Sequence, residues 1–265
     1  MSLAPPARRA LEVAGVERLG AYHLLRLIDP GPEPAPGQFA MLACADGWGG
    51  GEDERPFLSR ALSVARRAAG ESHFLLEDVG PGTRALCSLA PGERVLALGP
   101  LGRGFTPPQP GHEAVLVGGG VGVAPLAILQ DSLTGPCTVL LGFRDAARAE
   151  GAALLSGAQV ASDDGSVGHH GRVTDLLSRR LSRGGPAVVY ACGPAQMLES
   201  VRAICEREGV AAQLALEAPM ACGFGACYGC VVPRRGGGYL RVCVEGPVIS
   251  GSELAAVDEH AGAPA

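Results

Sequence analysis

Over roughly the first hundred residues the apolar positions come in short runs separated by Gly- and Pro-containing breaks. Tyr22-His23-Leu24-Leu25-Arg26-Leu27, Gln38-Phe39-Ala40-Met41-Leu42-Ala43, His73-Phe74-Leu75-Leu76-Glu77 and Arg94-Val95-Leu96-Ala97-Leu98 are the clearest of them. Runs of this length, bounded by turn residues, predict the strands of an antiparallel sandwich or barrel. Gly47 to Glu54 reads as a polar, Gly-rich loop, and Pro81 to Leu89 as one short helix closed by an Ala90-Pro91-Gly92 turn.

The pattern changes at Pro107-Pro108-Gln109-Pro110-Gly111, a Pro-rich linker and a candidate domain boundary. Beyond it, Ala114-Val115-Leu116-Val117 is a continuous apolar strand, followed by a Gly-rich turn and an apolar helix from Ala124. Strands are predicted again at Thr138 to Gly142 and Ala187 to Tyr190, with helices at Val173 to Leu181 and Ala195 to Glu208. Strand–helix alternation implies a parallel sheet covered on both faces. From Glu217 the chain becomes a Cys-rich loop segment, with a short strand around Tyr239 to Val244 and an expected frayed tail at Ala261 to Ala265. The division expected is therefore residues 1–108, 109–215 and 216–265, with no internal repeat.

Composition narrows the function classes. The 47% hydrophobic content can fill a core, but the aromatic share is 4%, so Leu, Val and Ala must do most of the filling. A net charge of −5 argues against a nucleic-acid footprint. All 22 basic residues are Arg, which excludes a Schiff-base lysine and a Walker A lysine. Of nine Cys, five (Cys44, Cys87, Cys137, Cys192, Cys205) are scattered in apolar surroundings without a pairing pattern, which fits a reducing, cytoplasmic compartment. The N-terminus lacks an apolar stretch of the secretory kind, and Ala114 to Leu129 is broken by glycines and Pro125, so no membrane span is expected.

The other four cysteines carry the strongest chemical signal. Cys222, Cys227, Cys230 and Cys243 follow C-x4-C-x2-C-x12-C, the plant-type spacing for a [2Fe–2S] cluster. Three ligands lie on one tight loop and the fourth returns from a distant segment. Structural zinc is the alternative, but zinc sites usually pair two short C-x2–4-C knuckles and this chain has one.

Three further motifs are weaker. Gly118-Gly119-Gly120-Val121-Gly122 follows a buried strand and opens a helix, with Pro125 suited to its first turn. It is not GxGxxG, yet a Gly-rich strand–helix turn offers unpaired N–H groups to a phosphate, and pyridine-nucleotide binding is the reading favoured. Arg60-Ala61-Leu62-Ser63 lies between two strand-like runs and could reach a cofactor's phosphate and ring; alone it is no more than a solvated Arg. Gly80-Pro81-Gly82-Thr83 is a second candidate phosphate cradle. The pair His169-His170 lacks a third ligand and reads as a solvated loop, and Asp163-Asp164 as loop residues that cap or turn.

Taken in order, R-A-L-S, G-P-G-T, Gly99-Pro100-Leu101-Gly102-Arg103-Gly104-Phe105, the triple-Gly turn and Cys192-Gly193-Pro194 with Met197 resemble the ferredoxin–NAD(P) reductase-like flavoproteins. The ending M-A-C-G-F-G-A-C-Y-G-C…C, with Asp163-Asp164-Gly165-Ser166 and Gly168 before it, closely resembles the electron-transfer subunit of NAD-linked (class B) dihydroorotate dehydrogenase. The resemblance covers nearly the whole chain. It implies a β plus α/β fold: an antiparallel FAD-binding β-barrel, a Rossmann-like NAD domain and a C-terminal [2Fe–2S] segment.

Carried over by position, Arg60, Ala61, Leu62, Ser63, Leu75, Leu76, Glu77, Gly82 and Thr83 would contact FAD. The family often has Pro where this chain has Ala61, which leaves Arg55 as an alternative to Arg60; Arg60 is preferred because Ser63 then falls at the matching offset. Gly118, Gly119, Gly120, Gly122, Cys192, Gly193 and Pro194 would belong to the NAD site. Cys192 would lie near the nicotinamide, or serve as a small buried core residue. Asp163-Asp164 would lie at the cofactor ribose. Cys222, Cys227, Cys230 and Cys243 would ligate the cluster, the cluster loop would face the partner, and the short Arg/Gly-rich insert before Cys243 would make that partner-facing loop differ from relatives.

The function so implied is electron transfer in pyrimidine biosynthesis, from the FMN of a separate catalytic subunit, through the cluster and FAD, to NAD+, in a heterotetramer of two of each chain. FAD belongs between the other two carriers because it exchanges electrons either singly or in pairs. Two alternatives stand beside it. One is the flavin/iron–sulfur subunit of a hydrogenase, a sulfur or sulfite reductase, or a ferredoxin–NADP oxidoreductase. The other is a non-redox zinc-binding scaffold.

Overall fold

A computed structural model describes residues 7–49 and 56–255. Expectations placed on the first six residues, on residues 50–54 of the Gly-rich loop, on Arg55 and on the tail at 261–265 fall outside the described residues.

Six antiparallel strands close into a barrel: β1 (Ala7–Leu19), β2 (Tyr22–Ile28), β3 (Phe39–Cys44), β4 (Arg60–Ala68), β5 (Glu71–Glu77) and β6 (Arg94–Leu101), in the order β1-β2-β5-β4-β3-β6. A helix, α1 (Pro81–Cys87), follows β5. The alternation of buried and half-buried residues along β6 is the period-2 signature of a strand with one face inside. β3 departs from it, with all six residues buried. Its alternate side chains serve two cores. Ala40, Leu42 and Cys44 face the barrel interior, while Phe39 and Met41 pack with Leu101 of β6 and with Cys230, Val242 and Cys243 of the Cys-rich segment. Each such side chain taken fully out of water contributes roughly 1.5–3 kcal/mol.

The second sheet has seven strands: β7 (Glu113–Gly119), β8 (Cys137–Phe143), β9 (Ala158–Ser162), β10 (His169–His170), β11 (Ala187–Cys192), β12 (Ala211–Ala215) and, further along, β15 (Val248–Ser250). Their order is β10-β9-β8-β7-β11-β12-β15, parallel throughout except that β15 runs antiparallel to β12. Helices α2 (Ala124–Ser132), α3 (Ala146–Ala149), α4 (Val173–Leu181) and α5 (Ala195–Glu208) join these strands. β7 is buried from Ala114 onward because Leu116 faces one core while Val115 and Val117 face another, the hallmark of a parallel strand between two layers. The fold is thus an antiparallel barrel joined to a Rossmann-like parallel sheet. Among the described residues no helix is long and apolar enough to cross a membrane.

The Cys-rich segment holds a small hairpin, β13 (Val231–Pro233) with β14 (Tyr239–Arg241), and then supplies β15 to the large sheet. The sequence expectation of a strand through Val244 is corrected: Val242 to Val244 form a turn, drawn in because Val242 N donates to Cys230 O at 3.1 Å. The Arg/Gly-rich insert makes contacts within the chain. Arg235 donates to Glu206 on α5 and to the carbonyl of Leu254, and Arg234 pairs with Glu253.

Candidate functional site

A cleft of about 320 Å³ opens where barrel, parallel sheet and Cys-rich segment meet. β4 presents Ala61, Leu62 and Ser63 to it, and neighbouring β5 presents Leu75, Leu76 and Glu77. Arg60-Ala61-Leu62-Ser63, expected between strands, is instead the first half of β4, where Ala61 pairs with Met41 and Ser63 with Phe39. Thr83 reaches the cleft from α1, but its hydroxyl also accepts from the backbone N–H groups of Val79 and Gly80, at 3.0 and 3.1 Å.

The opposite wall comes from the carboxyl ends of parallel strands, where open α/β sheets bind their ligands. Val121, Gly122 and Ala124 line it from the turn after β7, and Cys192 from the end of β11. Gly122 backs directly on the Cys192–Gly193 peptide, which locks the turn to its neighbouring strand. Burial pushes the Cys192 thiol far above its ordinary range, with Glu217 adding to the shift, so the group stays protonated and acts as a small apolar wall. Cys192 is 4% exposed, as a small core residue would be, and it also lines the cleft. Gly118, Gly119, Gly120, Gly193 and Pro194 stand behind this wall and do not line the cleft, and Arg60 and Gly82 lie beside it.

The residues the sequence did not single out are chiefly the third wall: Leu216, Glu217, Ala218 and Met220, with Pro247. They carry no motif of their own. Their signal was position, since they run straight into Cys222. A larger groove, about 1070 Å³, lies elsewhere, along Thr106 to Gln109 and the amino ends of β11 and β12. None of the site residues named from the sequence lines it.

The four cysteines stand in two pairs. Cys230 and Cys243 are buried with their sulfurs 3.2 Å apart, whereas Cys222 is half-buried and Cys227 exposed. Among the described residues no three His, Cys, Asp or Glu groups close round one ion-sized point. Burial alone would raise the Cys222 thiol, but backbone N–H groups of Phe224, Cys227 and Ala226, with the Cys227 side chain, bring it down to about 6. Burial, reinforced by Cys230, pushes Cys243 up to about 12. A loop whose N–H groups converge on sulfur suits anionic thiolates bound to iron. The loop seats on the barrel at Gly223, with φ +80°, where a Cβ would stand 2.5 Å from Met41 Cγ. Met41 is the partner of Ala61, so the cysteine loop and the cleft share one strand between them.

Residues 217–255 match the family described as the iron–sulfur cluster binding domain of dihydroorotate dehydrogenase B. An electron transfer subunit of dihydroorotate dehydrogenase B (NAD(+)) from Desulforamulus reducens is 38% identical over 225 residues, spanning 80% of this chain and 84% of that one. The chain belongs to this family of electron transfer subunits. A second member, from Bacillus caldolyticus, is 40% identical over 232 residues, covering 83% and 86% of the two chains. Among solved structures, a chain of an NADH-dependent reduced ferredoxin–NADP oxidoreductase, studied for flavin-based electron bifurcation, superposes with a TM-score of 0.78 and 26% identity, covering 96% of this chain and 91% of that one. Membership decides between the two readings of the cysteines, in favour of iron–sulfur over zinc.

Proposed function

We propose that this chain passes electrons between a [2Fe–2S] cluster held by Cys222, Cys227, Cys230 and Cys243 and a nicotinamide dinucleotide seated on the Gly118–Gly122 turn, by way of FAD in the cleft. When bound, these groups supply one-electron exchange at the iron, hydride exchange at the nicotinamide, and both at the flavin. The observation that carries the reading is continuity: Glu217 to Met220 form one wall of the cleft, and two residues later the chain reaches Cys222.

The protein's own part is to hold and to screen. Leu75, Leu76 and Leu62 give a flat ring an apolar bed, and Ser63 and Thr83 offer hydroxyls beside it. Val121, Gly122 and the protonated Cys192 form the face against which a nicotinamide would lie. Phe224 and Tyr228 on the cysteine loop, with Tyr239 on β14, expose 55%, 61% and 70% of their surface. These aromatics suit docking to another protein. The family name supports a dihydroorotate dehydrogenase catalytic chain as the partner; FMN in that chain and a cytoplasmic assembly of two of each are further parts of the proposal. The Arg/Gly-rich insert, held to the chain's own Glu206 and Glu253, contributes less to that surface than the cysteine loop does.

The test is spectroscopic and functional. The purified chain should show flavin bands over broad visible iron–sulfur absorption, and mixing it with the catalytic chain should couple dihydroorotate oxidation to NAD+ reduction. A colourless protein, or coupling to ferredoxin or sulfur compounds instead, would refute the reading. Replacing any one of the four cysteines by Ser should remove the cluster absorption and the coupled reaction, while NADH-driven reduction of ferricyanide at the flavin persists.

A further inference from the structure

The chain has a single tryptophan, and it stands beside the arginine that opens the R-A-L-S segment. Trp48 lies on the loop after β3 and packs against the barrel core. The Arg60 guanidinium carbon sits 5.6 Å from the centre of the Trp48 ring, within the range of a cation–π contact. On another side Arg60 meets Gly82. A Cβ on that glycine would stand 2.4 Å from Arg60 Nε and 2.6 Å from Cζ, so α1 approaches the guanidinium as closely as it does only because the side chain is absent. The backbone of Gly82 is not in the left-handed region, which makes room, rather than conformation, the reason for glycine. A third restraint comes from the Leu58 carbonyl, which accepts a hydrogen bond from Arg60 Nη1.

We propose that Trp48 is a positioning residue: its ring face holds the Arg60 guanidinium against Gly82, ready to receive the diphosphate of FAD. The inference rests on the flavin assignment of the cleft. Arg60 precedes Ala61, Leu62 and Ser63 along β4, and Gly82 precedes Thr83, so the cation stands beside the cleft where β4 meets α1. A guanidinium fixed in one plane presents paired N–H donors to phosphate oxygens, and one held in advance loses less freedom when the anion arrives. Stacking is the relevant property of Trp48. Its only polar atom, Nε1, is buried and has no partner among the described residues, so the ring acts through its π face.

The experiment measures FAD affinity of the full-length chain from the rise in flavin fluorescence on release, with iron–sulfur absorption and circular dichroism as checks on folding. Trp48→Ala should weaken FAD binding about tenfold, whereas Trp48→Phe, which keeps a ring and lacks the N–H, should stay within about threefold of the parent. Arg60→Ala should weaken it at least as much as Trp48→Ala, and the double variant should be no weaker than Arg60→Ala alone. Arg60→Lys should fail to restore binding, because an ammonium neither stacks nor donates as a fork. Should Trp48→Ala not fold, Trp48→Leu, which fills volume without a π face, replaces it and should show the same loss. Affinity within twofold of the parent for the Ala or Leu variant overturns the proposal. Losses for Trp48 and Arg60 that multiply in the double variant overturn it as well. An Arg60→Ala chain that holds FAD normally removes the flavin role of Arg60, and with it the premise.

Discussion

Tyr22 and Tyr190 are both wholly buried, yet their hydroxyls are used differently. Tyr190 donates to the Thr106 carbonyl at 3.0 Å, while the Tyr22 hydroxyl has no partner among the described residues. Removing the Tyr190 hydroxyl loses a net hydrogen bond, although the Thr106 carbonyl still accepts from Gln213 Nε2 at 2.9 Å; removing an unsatisfied hydroxyl loses nothing. Tyr190→Phe should therefore destabilise the fold by about 1 kcal/mol, and Tyr22→Phe should leave it unchanged or slightly firmer. Chemical denaturation at neutral pH separates the two. Burial, with Glu77 reinforcing it at Tyr22, raises both phenols to about 12 from an ordinary value of 10. Above pH 10 the unfolded chain ionises where the folded one does not, so stability falls as pH climbs toward 12. Either Phe variant should soften that fall. The candidate cysteine ligands could be named at this scale because cluster ligation is written in local spacing. The partnership of Arg60 with Trp48 was not, since nothing in twelve positions of separation, partly a loop, says that two side chains will stack.

Glu77, on the last position of β5, shows how elements rather than residues fix the cleft. Assigned to flavin by position, it does line the cavity, but its carboxylate also meets Arg148 at 2.7 Å, across from the barrel on α3. Asp145, the residue that caps α3, holds the other side of the same guanidinium at 2.6 Å. The β1–β2 turn adds to the seam, with Ala21 N donating to Ala147 O at 3.0 Å. Arg148→Leu would leave two carboxylates facing a neutral side chain and should lower stability slightly, read from thermal unfolding. It should also raise the KM for NADH more than it lowers kcat, because the two walls lose a tie without losing a chemical group. At the scale of elements the sequence was legible where its period was clean, as in β6 and β7. It was opaque at β4, whose burial does not alternate, because one end of that strand faces a cleft instead of a core. The internal contacts of the Arg/Gly-rich insert were hidden for a similar reason: the acceptor of Arg235 on α5 is 29 residues away in sequence.

Across the whole molecule, the three sections are joined at Gly246-Pro247. Arg103 N, just past the barrel, donates to Gly246 O at 2.5 Å, and Leu216 N, just past β12, donates to Pro247 O at 2.9 Å. Strand β15 follows at once and pairs with β12, Gln213 opposite Ser250 and Ala215 opposite Val248. Residues that leave the parallel sheet to form the cysteine loop thus return to finish the same sheet. Sequence segmentation placed everything after residue 215 in one block because it follows chain order, and this return is a property of space. The consequence concerns modularity. The iron-binding portion is not a cassette that can be lifted off: a chain cut at residue 216 would keep both nucleotide walls but leave β12 as an open, apolar edge, a template for pairing with other chains. Such a truncation should be recovered in aggregates on size-exclusion chromatography, whereas one that deletes the loop but splices β15 back beside β12 should elute as a discrete species. A lineage that loses its iron would, on these grounds, be expected to keep the strand.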